Sequence, residues 1–304
     1  MQRTSHGSLG KRLGWLQKMK ISEKCLPCIV NQALKVADMV ELKEKEPLIK
    51  KVFSYLSKVD YQTSTTPELT GEIYALLKKE IGNSDPYKEI RMKYNTMFLE
   101  QIQEFEHEIE SDANPFLMAI KYAVMGNIID FNPIHNYELS DIQGFLSKAV
   151  KEQLAIDHSP ELMQEVRFAK NILYLGDNCG EICLDKIMLK KMKEMNPSCN
   201  LYFGTRGEPV VNDSIKEDAF FVGIDSYATV VSNGDYSLGT VLKRTSKEFQ
   251  EIYDKADIII AKGQANYECL STEKHNIYFL LMTKCEVIAN DIGVPKMKMV
   301  CMKR

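Results

Sequence analysis

The amino-acid sequence predicts an α/β protein in which an N-terminal helical region is followed by a doubly wound, mainly parallel sheet. Two observations support this fold class. From Ile21 to about His158, apolar residues recur at steps of three and four, which is the spacing of amphipathic helices. After Glu165, short apolar runs alternate with amphipathic stretches, as in repeated βαβ units whose strands are buried on both faces.

These sequence patterns divide the chain into three parts. Residues 1–18 are basic and contain no acidic side chain, and we expect them to form an unstructured leader. Residues 19–160 are predicted to form a helical bundle region, and residues 161–304 the α/β core. No proline- or glycine-rich linker separates the last two, so we expect them to share a core.

The helical region contains several stretches with recognisable start and stop signals. A proline opens "PLIKKVFSYLSKV", where it suits a first helical turn, and a glycine ends "TPELTGEIYALLKKEIG". The stretches "CIVNQALKVADMVEL" and Tyr87–Ile109 continue the pattern. "FLMAIKYAVMGNIIDF" is apolar nearly all round, which predicts a central buried helix.

Five apolar runs predict the strands of the α/β core: "NILYLG", "NLYFGT", "ATVVSNG", "DIIIAKG" and "IYFLLM". Helical stretches between them include "EICLDKIMLKKMKEM" and "LGTVLKRTSKEFQEIYDKA". Parallel sheets of this kind bind ligands outside the carboxyl ends of their strands. Candidate functional residues are therefore those that directly follow each apolar run.

Composition favours a small-molecule partner. The net charge is −3 and the pI is about 6.0, so the chain lacks the basic field that attracts nucleic acid or an anionic membrane. No apolar run approaches the roughly 20 residues that span a bilayer. Eight cysteines in a chain of this length, without a secretion signal, indicate reduced thiols and a cytoplasmic location.

Cys25 and Cys28, in "CLPC", have the spacing of a redox or metal-binding pair. A structural zinc usually takes four protein ligands, commonly from two such pairs, and no second pair is present. Two interpretations of this pair remain open: a redox or metal-binding role, or two small buried thiols at the start of a helix.

An acid and an amide follow each of the first two strands. Asp177 and Asn178 follow "NILYLG", and Asn212 and Asp213 occur in the loop after "NLYFGT". Asn178 with Glu181 also has capping-box spacing, and Asn-Asp-Ser suits a turn. However, neighbouring parallel strands would bring Asp177 close to Asp213, and hard divalent cations prefer such oxygen ligands. We therefore predict a metal site formed by Asp177, Asn178 and Asp213.

The third and fourth strand ends predict an anion site. Ser232 and Gly234, in "SNGD", could present a hydroxyl and backbone N–H groups to a phosphate, although a simple polar turn explains them equally well. Lys262 ends an apolar run, where a long cation is expected to point into the ligand cleft and hold phosphate. Together with the metal ligands, this set indicates metal-assisted phosphoryl chemistry.

Several enzyme classes are disfavoured by missing motifs. The chain has neither a P-loop nor a dinucleotide-binding G-x-G-x-x-G sequence, which argues against a kinase or a dehydrogenase. The D-x-D signature of aspartyl phosphatases is also absent after Asp177. None of the five histidines lies in the motifs above.

The motifs "GDNCGEICLD", "PVVND" followed by "EDA", and "AKGQANYE" resemble, in order, those of the metal-dependent damage-control phosphatase family, long catalogued as a domain of unknown function. "CLPC", "DPYKEIRMKYN" and "GNIIDF" resemble its prokaryotic branch with an N-terminal cysteine pair. The resemblance covers about residues 19–300. It implies a helical region packed on a Rossmann-like core. Ala265 and the loop "SNGDYSLG" depart from the family pattern, which leaves the substrate less certain than the metal.

The resemblance also implies roles for individual residues. The metal ligands map onto Asp177, Asn178 and Asp213, and the phosphate-contacting lysine maps onto Lys262. The cofactor would be one divalent ion, manganese, cobalt, nickel or magnesium, and the substrate a small phosphorylated metabolite such as a sugar phosphate or a damaged cofactor fragment. Polar residues of the resembling motifs that could line the cleft or orient ligands are Asn95, Asn127, Asp130, Asn266 and Glu268.

The predicted reaction is hydrolysis of a phosphate ester by metal-activated water, with Asp177, Asp213 and Lys262 as the catalytic residues. Direct attack by Asp177 or Asp213 to form an acyl-phosphate remains open. Two other functions fit the pattern less well. One is an S-adenosylmethionine-dependent carboxyl methyltransferase, which usually needs a more glycine-rich first loop. The other is a metal-dependent sensor that binds a phosphorylated metabolite without turnover.

Overall fold

The computed structural model describes residues 19–126 and 150–304, together with residues 144 and 147. The predicted leader 1–18, Asn127 and Asp130 lie outside the described residues. Six α-helices lie between residues 19 and 126: α1 (Leu26–Met39), α2 (Glu46–Leu56), α3 (Thr66–Ile81), α4 (Lys88–Glu100), α5 (Ile102–Glu110) and α6 (Pro115–Met125).

Local signals in the sequence account for helix α3. Thr65 and Glu68 form a reciprocal capping box at its start, and Gly82 ends it in the left-handed conformation, with φ of 67°. Within the helix, a Cβ on Gly71 would come within 2.8 Å of the Ser237 backbone. The missing side chain therefore lets α3 pack directly against a loop of the α/β core.

The sheet has seven strands in the order β1-β7-β6-β5-β2-β3-β4. All neighbouring pairs are parallel except β6 and β7. The strand bounds are β1 (Ile156–Asp157), β2 (Asn171–Leu175), β3 (Asn200–Thr205), β4 (Thr229–Ser232), β5 (Ile258–Lys262), β6 (Ile277–Met282) and β7 (Met299–Lys303).

Helices alternate with these strands, as the sequence predicts. They are α7 (Ser159–Val166), α8 (Glu181–Met195), α9 (Lys216–Val222), α10 (Lys247–Lys255), α11 (Gly263–Leu270) and α12 (Glu286–Ile292). The predicted fold class, an N-terminal helical region on a doubly wound, mainly parallel sheet, is confirmed. Within the described ranges, no helix combines the length and apolar character that crossing a membrane requires.

Side chains of the central strands alternate between two apolar cores. Ile172 and Tyr174 of β2 point into the core shared with α6 and α8, whereas Leu173 and Leu175 join the core beneath α10 and α11. Burial on both faces explains why these strands appear as continuous apolar runs in the sequence. A third core joins α1, α2 and α3 to Val210 and Val211 of the loop after β3.

Three features differ from the sequence prediction. The stretch predicted as a helix from Leu238 to Ala256 is helical only from Lys247, because Ser246 caps the helix there and a short 3-10 turn at Leu242–Arg244 precedes it. Tyr87–Ile109 forms two helices that meet at Gln101. The sequence analysis did not predict strands β1 and β7. Strand β1 has only two residues, and β7 pairs antiparallel with β6 instead of continuing the parallel pattern.

A buried arginine connects the helical region to the core. Arg91 of α4 donates from Nε to Asp218 of α9 at 2.9 Å, and its two terminal nitrogens donate to Asp85 at 2.6 and 2.7 Å. Arg91 is 2% exposed, so neither it nor Asp218 can exchange its partner for water. Through this arginine, the motif "DPYKEIRMKYN" therefore has a structural role.

Replacing Arg91 by Ala should lower the free energy of unfolding by about 3 kcal/mol, because it leaves the buried Asp218 carboxylate without its counterion. Urea unfolding followed by circular dichroism measures this change. Lys50→Ala removes an exposed ion pair with Glu46 and should leave stability almost unaltered. Equal losses in the two variants would contradict the structural role of Arg91.

Candidate metal and phosphate site

The loops after β2 and β3 meet at the carboxyl edge of the sheet and bring together the acids and amides that follow the two strands. Asn178 and Asp213 form an isolated antiparallel bridge. The Ser214 N–H donates to the Asp177 carbonyl at 2.8 Å, and the Cys179 N–H donates to the Asn212 carbonyl at 2.9 Å. Backbone hydrogen bonds therefore fix Asp177, Asn178 and Asp213 next to one another.

Arg206, the first residue after β3, lies between the two aspartates. Its Nε donates to Asp213 Oδ2 at 2.7 Å and its Nη2 to Asp177 Oδ1 at 3.3 Å. All three side chains are buried. Burial, followed by the negative charges of Asp213 and Glu181, raises the pKa of Asp177 well above its usual range, and Arg206 offsets only part of this. Burial also raises the pKa of Asp213.

The Asn178 side chain is oriented by two carboxylates. Its Nδ2 donates to Asp177 Oδ2 at 3.0 Å and to Glu181 Oε2 at 3.1 Å. An amide that donates both hydrogens in this way presents its carbonyl oxygen as the remaining polar atom. Glu181, in the first turn of α8, thus orients the Asn178 side chain and also places a negative charge at the start of the helix.

The chemistry of this set fits a hard divalent cation. Four buried carboxylates, Asp177, Glu181, Asp185 and Asp213, lie here with three cations, Arg206, Lys262 and Lys284. A cation bound by the oxygens of Asp177, Asn178 and Asp213 would favour the ionised carboxylates, which burial and neighbouring negative charges disfavour. Among the described residues, no cluster of three His, Cys, Asp or Glu side chains has metal-binding geometry, and the predicted donor set combines two carboxylates with an amide.

The backbone around the aspartates is tightly constrained. Gly263, with φ of 77°, packs so closely that a Cβ there would come within 1.9 Å of Asp177 Oδ2. Val211, two residues before Asp213, has φ of 48°, a sparsely populated conformation for a β-branched residue. Close packing and local strain therefore accompany the predicted ligands.

A cavity of about 280 Å³ adjoins the two aspartates, at the lower end of the range for small-molecule sites. It is lined by the helical region and the core together: Cys28, Ile29, Gln32, Thr66, Thr70, Asp177, Asn178, Val211, Asn212, Asp213, Leu238, Gln264, Ala265, Glu268 and Lys284. A more open groove of about 610 Å³ lies at the amino ends of β2 and β5. Ligands of parallel sheets bind at the opposite edge, so the smaller cavity is the better candidate.

Other predicted residues lie behind the cavity wall. The ammonium group of Lys262 is fully buried, with hydrogen bonds to Glu181 and, at 2.6 Å, to Asp185. Its contact with phosphate stays a prediction. Asn266 donates to the Lys262 carbonyl at 2.7 Å. Asn95 accepts a hydrogen bond from the Gly180 N–H at 2.6 Å, which holds the loop of Asp177 and Asn178 against α4.

Ser232 and Gly234 are also not among the residues that line the cavity. The Gly234 N–H donates to Ser232 Oγ at 3.2 Å, as in a polar turn, and a Cβ on Gly234 would come within 3.0 Å of Ser246. Their contact with an anion stays a prediction. Of the predicted substrate-binding residues within the described ranges, Glu268 is the one that lines the cavity.

Sequence reasoning missed two basic residues at strand ends. Arg206 directly follows β3, and Lys284 comes two residues after β6 and lines the cavity. Lys284 also lowers the pKa of Asp177 electrostatically. Applying the strand-end rule to "IYFLLMTK" and to "NLYFGTR" would have identified both residues.

An α/β protein with buried carboxylates and an amide around a small cavity at this sheet edge belongs to the class that binds ligands outside the carboxyl ends of its strands. The chain belongs to the damage-control phosphatase ARMT1-like domain family, whose model matches residues 21–300. The family resemblance inferred from the motifs is confirmed.

Individual relatives cover almost the whole chain. A damage-control phosphatase of Pyrococcus horikoshii is 34% identical over 291 residues, which is 94% of this chain and 98% of the relative. A damage-control phosphatase of Archaeoglobus fulgidus is 31% identical and covers 91% of this chain and 96% of its own length. The crystal structure of a DUF89 family protein from P. horikoshii has a TM-score of 0.87 at 34% identity and covers 94% of this chain and 99% of its own.

Gly263→Ala should weaken Mn²⁺ binding by about 10- to 100-fold, because the added methyl group must displace the Asp177 carboxylate. Isothermal titration calorimetry on the metal-stripped protein measures the affinity.

Gly82→Ala provides a matched control. Gly82 also has positive φ, but no atom lies within 4 Å of the position that an added Cβ would take. This variant should therefore lose about 1 kcal/mol of stability and keep its Mn²⁺ affinity. Equal affinities in the Gly263 and Gly82 variants would show that Asp177 does not bind the ion.

Proposed function

We propose that this protein is a metal-dependent phosphatase that hydrolyses phosphate monoesters of small metabolites, such as sugar phosphates or damaged cofactor fragments. The observation that carries the proposal is the convergence of Asp177, Asn178, Asp213 and Lys284 on one small cavity. Membership in the damage-control phosphatase family and the two relatives of that name support it.

In this proposal, Asp177, Asp213 and the Asn178 carbonyl oxygen hold one divalent ion, Mn²⁺, Co²⁺, Ni²⁺ or Mg²⁺. When bound, such an ion polarises phosphate oxygens and lowers the pKa of water toward neutrality. Arg206 holds the two carboxylates in place, and Glu181 accepts a hydrogen bond from the Asn178 amide nitrogen, which leaves the amide oxygen to the ion. These second contacts restrict the ligands to one geometry, as outer partners of metal ligands commonly do.

Lys284 is the basic side chain that this proposal assigns to the phosphate group. It lines the cavity together with Asp177 and Asp213, and its ammonium would offset the charge of a phosphate oxygen. Lys262 does not line the cavity and is fully buried in ion pairs with Glu181 and Asp185. We assign attack on phosphorus to water, since both aspartates are engaged by Arg206.

Wild-type protein stripped with a chelator should lose hydrolysis of a generic phosphate ester and regain it with Mn²⁺, Co²⁺, Ni²⁺ or Mg²⁺. Asp177→Ala should lower kcat/KM by about 10³-fold, since the ion contributes several kcal/mol of transition-state stabilisation. Release of inorganic phosphate measures both effects.

Asp225→Ala, at an exposed position that does not line the cavity, is the control and should retain full activity. Turnover that survives chelation, or full activity of Asp177→Ala, would contradict a metal-dependent reaction. Saturable binding of phosphate esters without any turnover would instead indicate a sensor.

Lys284→Met should raise KM for a phosphate ester by about tenfold or more, because it removes a charge-assisted contact with the phosphate. Steady-state kinetics with restored metal measure KM. Lys274→Met, which removes an exposed lysine, should leave KM unchanged. An unaltered KM in Lys284→Met would contradict a contact between Lys284 and the phosphate and would favour Lys262 in that role.

A further inference from the structure

Glu268 lines the same cavity as the predicted metal ligands, but the proposed mechanism gives it no role. It lies on α11, the helix that begins at Gly263 against Asp177. Gln264, Ala265 and Glu268 share one helical face through their spacing, and all three line the cavity. Because the cavity measures only about 280 Å³, one small phosphate ester would span the distance between Glu268 and the aspartates.

The carboxyl group of Glu268 is partly removed from water. Its side chain is half-buried, and the Thr66 hydroxyl at the start of α3 forms a hydrogen bond with it. Burial raises the pKa of Glu268 to about 7, which the Thr66 hydrogen bond offsets only in part. A substantial fraction of this carboxyl group therefore carries a proton at neutral pH.

The surroundings of Glu268 contain few charges that would ionise it. The titratable groups nearest to it or sharing its cavity come from five segments: Cys25 and Cys28 of the "CLPC" segment, Cys269 on α11, Lys284 after β6, Asp177 after β2 and Asp213 after β3. Glu268 contributes, after burial, to the raised pKa values of Cys25 and Cys269. Lys284 is the cation among these groups, and burial is the largest cause of the raised pKa of Glu268.

We propose that Glu268 is the general acid that protonates the leaving oxygen of the phosphate ester. This inference rests on the proposed phosphatase function and extends it. Of the titratable residues that line the described cavity, Asp177 and Asp213 are assigned to the ion and Lys284 to the phosphate. Glu268 is the remaining carboxyl group of the lining and can supply a proton from the face of α11 that borders the cavity.

The proton balance of the step is simple. A bond forms between the water oxygen and phosphorus, and the bond between phosphorus and the ester oxygen breaks. The proton on Glu268 moves to the departing oxygen, so that the product leaves as an alcohol instead of an alkoxide. The proton lost by water passes to solvent, and Glu268 is reprotonated from solvent before the next cycle.

The need for this proton depends on the leaving group, which provides a direct test. Glu268→Gln should lower kcat/KM for glycerol phosphate, an alkyl ester, by about 10²- to 10³-fold. For p-nitrophenyl phosphate, whose phenolate leaves without a proton, the decrease should be less than about threefold. Glu248→Gln, which alters an exposed glutamate on α10, should leave both values unchanged.

The pH profile gives a second readout. Wild-type kcat/KM for glycerol phosphate should fall as pH rises through about 7, because an ionised Glu268 cannot donate a proton. In Glu268→Gln, kcat/KM should not show this decrease, the basic limb of the pH profile. Thr66→Val removes the hydroxyl that stabilises the carboxylate, and should move the limb to higher pH. Without metal or substrate at pH 6, the infrared difference spectrum of wild type minus Glu268→Gln should contain the carbonyl band of one protonated carboxyl group.

The outcomes separate this inference from the proposed function. If the wild type with restored metal hydrolyses neither ester, the proposed function fails. If the wild type hydrolyses both esters, two results rule out Glu268 as the general acid. In one, Glu268→Gln slows the hydrolysis of both esters equally; in the other, it slows the hydrolysis of neither ester. If Glu268→Gln does not fold by circular dichroism, Thr66→Val decides: an unshifted basic limb overturns the inference, and an upward shift supports it.

Discussion

The structure depends on holding two aspartates side by side in a buried place. Two neighbouring carboxylates away from water repel each other, and burial alone already disfavours their charged forms. The protein counters this with Arg206 between them and with backbone hydrogen bonds that join the loops after β2 and β3. The remaining excess of negative charge is what suits the site to a cation.

Both parts of the chain complete this arrangement. The sheet supplies the aspartates, and the helical region supplies the opposite wall of the cavity through Cys28, Thr66 and Thr70. The helical region also supports the loops from outside the cavity, since Asn95 accepts a hydrogen bond from Gly180 and Val211 belongs to the core of α1, α2 and α3. The residues of the motif "DPYKEIRMKYN" thereby influence the site without lining it.

The sequence predicted the strands well because burial on both faces produces continuous branched apolar runs, and a parallel sheet then dictates where ligands bind. That rule identified Asp177, Asn178 and Asp213 as neighbours from the sequence alone. It could not decide which way Lys262 points, because a lysine at a strand end can face the cleft or a buried pair of acids such as Glu181 and Asp185. The segment before Lys247 was predicted as helix because its apolar spacing is helical, whereas hydrogen bonds of Leu238 to Pro67 and of Thr240 to Asn266 hold it against α3 and α11. Thr66 was also beyond sequence reasoning, since its contact with Glu268 joins residues far apart in the chain.

The proposed chemistry requires that oxygens of Asp177, Asn178 and Asp213 share one divalent ion. Crystals soaked in Mn²⁺ and measured near the manganese absorption edge test this requirement most directly. We expect one strong anomalous peak within coordination distance of all three side chains, with Lys284 across the cavity. A peak at Cys25 and Cys28, or no peak beside the two aspartates, would contradict it.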